Sequence, residues 1–209
     1  DANSACLSAC RAHALLRPLY WVRVGHKDSN VHALRGAFEL EPFVGALFSP
    51  SETGFDVGTE LLDPYLAVLA ALGRPAVFCI GVDARCAPAK VYQKARRQPK
   101  LPVVLCLCGA GPSQLAAVRD VVGHARRAGD ANLYMDTSHA TASDAITTVE
   151  VAGADRVLFG GDVFGHPDGS SEKACSFVGE LRNILPAEQF RMVAGENAAR
   201  LFRLAPAEG

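Results

Sequence analysis

Long apolar runs are missing from this 209-residue chain, and none reaches the roughly 18 residues that a membrane-spanning helix needs. An excess of charge of one sign is missing too. Twenty-one Lys and Arg stand against 22 Asp and Glu, for a formal net charge of −1. With no basic stripe, nucleic acid and membrane surfaces are not expected partners. No expected strand is followed by GxGxxG or by GxxxxGK with Ser or Thr, which removes the usual phosphate cradles. Gly109-Ala110-Gly111 follows a strand but has the wrong spacing. No CxxC pair occurs among the seven Cys. Their odd number, and the placing of Cys79, Cys106, Cys108 and Cys175 on expected strands and helices, predict reduced, buried thiols and a cytoplasmic setting. Cys106 and Cys108 share a strand face, but two thiols alone make no zinc site.

What the sequence does have is alternation. Apolar residues are 49% of the chain, enough for one sizeable core, and one domain over 1–209 is expected. A helical stretch at 4–16 leads to the strand Leu19–Val24. Gly36–Pro42 reads as a short strand of alternating apolar and acidic residues stopped by proline. Leu61–Leu72 is an apolar helix with Gly73 as its C-cap. Pro75–Gly81 and Leu101–Gly109 are continuously apolar, the mark of strands buried on both faces of a parallel sheet. A helix at about 113–128, the strand Asn132–Asp136 and a helix at about 142–152 follow, the last with Ser143 as N-cap. Then come the strand Arg156–Asp162, a helix near 171–185, the strand Phe190–Ala194 and the helix Asn197–Leu204. Seven strands separated mostly by helices predict right-handed βαβ units and a parallel sheet, an α/β fold that would be of the (β/α)₈ type if closed into a barrel. In such a barrel, polar residues at the C-terminal strand ends (Glu41, Cys79, Asp136, His139, Asp162) gather where active sites form.

Several segments carry a family likeness. Asp155–Asp162, read DRVLFGGD, resembles the "DRVLFGSD" strand of the amidohydrolase-related family of metal-dependent hydrolases and decarboxylases, which includes aminocarboxymuconate-semialdehyde decarboxylase. Asn197–Phe202 is similar to its closing "NAxRLF" helix. Asn132–Ser138 resembles "NxYxDxS", Leu101–Gly109 "PVVLxHxG", Pro75–Gly81 "PVxxHxG", and Gly36–Pro42 stands where "GxKLHP" is common. The likeness implies a TIM barrel and a divalent ion, zinc above all if a thiolate takes part. It also shows departures. No HxH occurs, and the chain, which starts at Asp1, is expected to begin after the first barrel strand. Cys79, Leu107 and Glu41 stand where the family has histidines. Only Asp162 keeps its family position, as a metal carboxylate or as the base on a bound water. A catalytic zinc needs about three protein ligands and an open water position, so no cofactor is expected in this chain.

The candidate chemistry is therefore an acid or base at Asp162, which reads equally as a carboxylate that only hydrogen-bonds neighbouring loops, with His139, in the cluster Asp136-Thr137-Ser138-His139, as a second catalytic candidate or else a surface-loop histidine. Cys79 is either a nucleophile activated by His139 or Asp162, or a small apolar filler. Arg23, at the end of the first strand, could grip a substrate carboxylate. Glu41, sharing a strand face with Glu39, and His166, on the loop after the last barrel strand, complete the substrate-binding candidates. His13, His26, His32 and His124 read as structural. Two functions follow: a divergent hydrolase or decarboxylase of a small carboxylated or cyclic substrate, or a non-catalytic relative that binds a ligand or partner through the old pocket. The gap left by a missing strand predicts filling by another segment, by rearrangement or by a second copy in a homo-oligomer.

Overall fold

Backbone hydrogen bonding organises the chain around one parallel sheet. The computed structural model describes residues 1–81, 83–106, 111–162 and 171–204. The elements are α1 (Ala2–Ala12), β1 (Leu19–Val22), α2 (Val31–Leu40), β2 (Gly45–Phe48), α3 (Pro50–Thr53), α4 (Asp63–Leu72), β3 (Ala76–Cys79), α5 (Pro88–Arg96), β4 (Val103–Cys106), α6 (Pro112–Ala128), β5 (Leu133–Asp136), α7 (Ala142–Ala152), β6 (Val157–Leu158), α8 (Ser171–Ile184), α9 (Ala187–Arg191) and α10 (Asn197–Phe202). Among the described residues the sheet has six strands in sequential order, each parallel to the next. This is an open α/β sheet of the barrel type. No described helix is long and apolar enough to cross a membrane.

Two expected strands are helical. Residues 36–42 fall in and after α2, because Val31, Leu34 and Phe38 recur at helical spacing and turn one face to the core. Asn30 caps that helix, its side chain accepting from the N–H of Ala33. Glu39 and Glu41 therefore do not share a strand face. The real second strand is Gly45–Phe48, whose Gly45 leaves no room for a Cβ against the Pro75 carbonyl and the Leu19 side chain. Residues 190–194 run from α9 into a π-helical segment, Met192–Glu196, that continues into α10. A π turn frees a carbonyl from its ordinary partner. Here the Val193 carbonyl accepts from the N–H of Phe159, just past β6, at 2.8 Å. On the other flank, Asn3 of α1 takes both groups of one β1 residue: its Oδ1 accepts from the Trp21 N–H at 2.7 Å and its Nδ2 donates to the Trp21 carbonyl at 3.1 Å. Both flanks of the sheet are thus met in part by groups that are not strands, which satisfies edge donors and acceptors left exposed by an open sheet.

The two faces of the sheet are chemically distinct. Val22, Ala46, Phe48, Ala76, Phe78, Val103, Leu105, Leu133, Met135 and Val157 point into the helical layer and form the main core. Phe48 and Phe78 stack there with ring centroids 4.9 Å apart. The alternate residues Val77, Val104, Tyr134 and Leu158, with Leu19 and Leu47, form a second cluster capped by Ala198, Leu201 and Phe202 of α10. This is the inner face. The α10 helix lies at the N-terminal ends of the strands, where Arg203 reaches Gly73 and the wholly buried Asn197 donates to the carbonyls of Ala154 and Val157 at 2.7 and 2.8 Å. The inner face therefore has an apolar floor.

Candidate functional site

Moving along each strand from that floor, the inner face turns polar. Strand alternation puts Cys79 one step above Val77, Cys106 above Val104, Asp136 above Tyr134 and Gly160 above Leu158. The register pairs Cys79 directly with Cys106, and their sulfurs are 3.6 Å apart. Cys106, not Leu107, is thus the β4 residue beside Cys79; Leu107 lies outside the described residues. The Cys79 thiol is held below the ordinary thiol range, first by its hydrogen bond with Cys106 and then by Ser49. Burial and the carboxylates of Glu52 and Asp136 oppose the shift. As a nucleophile Cys79 would have called for His139 or Asp162 as its base; the hydrogen-bond partners it has are Cys106 and Ser49.

Asp136 ends β5 with its carboxylate buried, accepting from the Ser138 hydroxyl at 2.6 Å and from the Ser138 N–H at 3.3 Å. Gly160 makes this packing possible, since a Cβ there would stand 2.5 Å from Ser138 Oγ and 2.6 Å from Asp136 Oδ2. Thr137 ties the two loops together by accepting from the Gly160 N–H at 3.1 Å. Above this layer, His139 Nε2 meets Asp162 Oδ2 at 2.8 Å, with about a quarter of each side chain exposed. Both residues sit on left-handed backbone, His139 at φ 62° and Asp162 at φ 39°. Non-glycine residues take that region at a cost and concentrate at functional sites.

The remaining candidates scatter. Arg23 follows β1 at the same end of the sheet, with its guanidinium on the Asp28 carboxylate and its N–H on Ser29 Oγ. Glu41 lies at the other end, just before β2, ion-paired with Arg11 of α1 at 2.7 Å. The proline-stopped strand that was to carry it to the mouth is a helix, so its chain direction is wrong for the site. His166 lies outside the described residues. Sequence reasoning missed the Cys79–Cys106 pairing and Ser49. The signal for the pairing was available in strand parity, because Cys79 and Cys106 share the position two beyond an inner-face valine; Ser49 follows β2, the strand the sequence pattern hid.

The described donors do not fit a structural or catalytic ion. Among the described residues no group of three His, Cys, Asp or Glu is placed to hold one. The Oδ2 of Asp162 is already on His139. No three of these donors converge as a catalytic zinc requires, and the chemistry proposed for the chain is not routed through a metal.

Comparison with known proteins agrees with this architecture. The sequence model of the amidohydrolase family matches residues 1–204. A search of curated protein sequences finds no match. Among solved structures, an uncharacterised TIM-barrel protein from Bordetella bronchiseptica superposes with a TM-score of 0.76 at 20% identity, over 97% of this chain and 72% of that one. A 2,6-dihydroxybenzoate decarboxylase from Rhizobium gives 0.75 at 16% identity, over 97% and 76%. A 5-carboxyvanillate decarboxylase from Novosphingobium aromaticivorans, complexed with manganese and 4-hydroxy-3-methoxy-5-nitrobenzoic acid, gives 0.74 at 14% identity, over 97% and 69%. At these identities the superpositions establish the TIM-barrel-type fold.

Proposed function

The chain belongs to the amidohydrolase family, and from that premise we propose that it decarboxylates a small, cyclic carboxylated substrate, with His139 giving the proton and Asp162 orienting and stabilising its imidazolium. The observation that carries this reading is the 2.8 Å His139–Asp162 contact between two residues on left-handed backbone at the C-terminal side of β5 and β6. Solved neighbours of the same fold include decarboxylases of hydroxylated benzoates, which favours decarboxylation over hydrolysis.

Loss of carboxylate from an aromatic ring needs a proton on the carbon that bears it. The C–C bond then breaks, its electron pair restores the ring, and carbon dioxide leaves. In this reading protonated His139 supplies the proton and Asp162 orients the imidazole and stabilises its cation. Water returns the proton after turnover. Arg23 offers the charge that would hold a substrate carboxylate, in exchange for or shared with Asp28.

Carbon dioxide release from a panel of hydroxybenzoates, measured beside calorimetric binding, tests the proposal. Expected is turnover on at least one carboxylate, reduced about 100-fold or more in Asp162→Asn and His139→Gln, the usual size of a general acid contribution. A second reading, a ligand-binding relative without turnover, is favoured by the lack of a three-donor group among the described residues. Binding of a panel member with no carbon dioxide released would replace the first reading with the second. Turnover unaffected by both substitutions would remove the His139–Asp162 pair from the chemistry.

A further inference from the structure

We propose that Cys79 and Cys106 form an oxidisable dithiol, converted by exchange with a small-molecule disulfide into a bond that ties β3 to β4 across the mouth. The claim does not rest on the decarboxylase reading. Its basis is register. Cys79 and Cys106 are direct partners on adjacent parallel strands, and both point to the inner face. Neighbouring strands lie about 4.8 Å apart, inside the span of roughly 4.4–6.8 Å between Cα atoms that a disulfide bridges. The sulfurs, now 3.6 Å apart, have to close by about 1.5 Å to reach the bonded length of about 2.05 Å. Side-chain rotation can supply such a movement with little shift of the strands.

Access and reactivity point the same way. A cavity of about 110 Å³, lined by Ser49, Ser51, Glu52, Cys79, Ile80 and Gly81, opens onto the Cys79 side chain. Cys106 donates toward the Cys79 sulfur, the arrangement that favours thiolate on Cys79. The other described thiols differ. Cys6 and Cys10 stand one turn apart on α1, and burial pushes the Cys6 thiol up. Cys86 is buried, accepting from the Gly81 N–H and lying against the Gly81 and Asp83 carbonyls. Cys175 is exposed.

The exchange balances without any further reagent. The Cys79 thiolate attacks one sulfur of the incoming disulfide and expels a thiolate, leaving a mixed disulfide. Cys106 loses its proton to solvent and attacks the Cys79 sulfur, expelling the second thiolate. Two protein thiols are oxidised, and the small disulfide is reduced to two thiols.

The test uses the full reduced chain. It is incubated with glutathione disulfide and glutathione in rising ratio, quenched by alkylation and mapped by peptide mass spectrometry. Expected is a linked pair of peptides, lighter by two hydrogens than their sum, with fragmentation placing the bond on Cys79 and Cys106. Both residues should leave the alkylated pool together and return on treatment with a dithiol reductant. In Cys106→Ser, the glutathione adduct on Cys79 should persist instead of resolving. Both thiols of the wild-type chain staying alkylatable at the highest ratio would overturn the proposal. So would a stable glutathione adduct on wild-type Cys79, or a bond mapped to Cys108 on the same peptide. The wild-type map decides the matter even where the variant folds poorly.

Discussion

The floor and the mouth of the inner face are built from the same six strands, two residues apart, and they carry opposite chemistry. At the floor stand Leu19, Leu47, Val77, Val104, Tyr134 and Leu158, sealed by α10. At the mouth, one inner-facing step further, stand Cys79, Cys106, Asp136 and Gly160, with His139 and Asp162 above them. The floor is mainly apolar contact, its one charge being the Arg156 guanidinium that lies over the Tyr134 ring, 5.0 Å from the centroid. The mouth holds a buried carboxylate, a thiol pair and two left-handed residues, each of which costs stability unless it is compensated. The difference teaches where stability and function reside: floor substitutions should unfold the protein without touching its chemistry, and mouth substitutions should do the reverse. One mouth residue, Gly160, belongs to both and is the place to break the rule.

The largest expected effect is at the floor. Leu201→Ala removes a buried side chain from the cluster under the sheet. It should cost about 3 kcal/mol, within the ~2–5 kcal/mol range of such truncations. For a chain of this size that lowers Tm by about 6–12 °C. Calorimetry measures it, and ligand binding below the transition should be unchanged. A wild-type Tm would mean that α10 does not seal the floor. Gly160→Ala comes next. Its Cβ would meet Ser138 Oγ and Asp136 Oδ2 at 2.5 and 2.6 Å, so the buried Asp136–Ser138 hydrogen bond has to break or the two loops have to part. The expected cost is about 1–3 kcal/mol, here with loss of ligand binding as well. Loss of stability with binding intact would show that the mouth is less tightly packed than the distances indicate.

A smaller effect is expected at the sheet's flank. Asn3→Ala leaves the N–H and carbonyl of Trp21 without the side chain that now meets both. The expected cost is about 1–2 kcal/mol, read as a lower urea midpoint, with a rise in light scattering on warming as the uncovered edge pairs between molecules. Unchanged midpoint and scattering would show that water serves the edge equally well.

Much of this plan was legible in the sequence, and the reasons are physical. Five of the six strands stood out because a parallel strand buried on both faces is a short, unbroken apolar run, as at Ala76–Cys79 and Val103–Cys106. Gly45–Phe48 was hidden because the four residues before it, Glu41–Val44, blur its start, while the alternation at 38–41 imitates a strand over too few residues to mean one. Phe190–Ala194 misled for a different reason. Its apolar residues serve a π turn whose freed carbonyl stands in for a neighbouring strand, a use of backbone that no side-chain pattern announces. At the site, the expected roles attached to single residues such as Cys79, Asp162 and His139. The structure adds pairings: Cys79 with Cys106, His139 with Asp162, Asp136 with Ser138 over Gly160. Pairings depend on register, and register is set by the whole sheet. The NAARLF segment was read as a family mark; its asparagine acts as an anchor that fastens the floor to β6.

The smallest effect sharpens the comparison at the rim, where a helix start rather than a core contact holds the mouth's outer loop. Ser143 was the expected N-cap of α7, but Thr141 fills that place two residues earlier, in a reciprocal box with Asp144. The Thr141 hydroxyl and N–H bond to the Asp144 carboxylate, and they hold it below the usual carboxylate range. A depressed carboxyl contributes its stability fully above the pKa it has in the unfolded chain, and loses it as the pH falls through the folded value. Thr141→Ala should therefore cost about 1 kcal/mol near neutral pH, roughly 2–4 °C in Tm, and the gap from wild type should narrow in acid as Asp144 takes up its proton in both proteins. Paired urea titrations across that range measure the gap. A gap that stays constant with pH would assign the cap's whole contribution to the Thr141 hydroxyl on the Asp144 N–H, and would leave the carboxylate with no part in holding His139's loop.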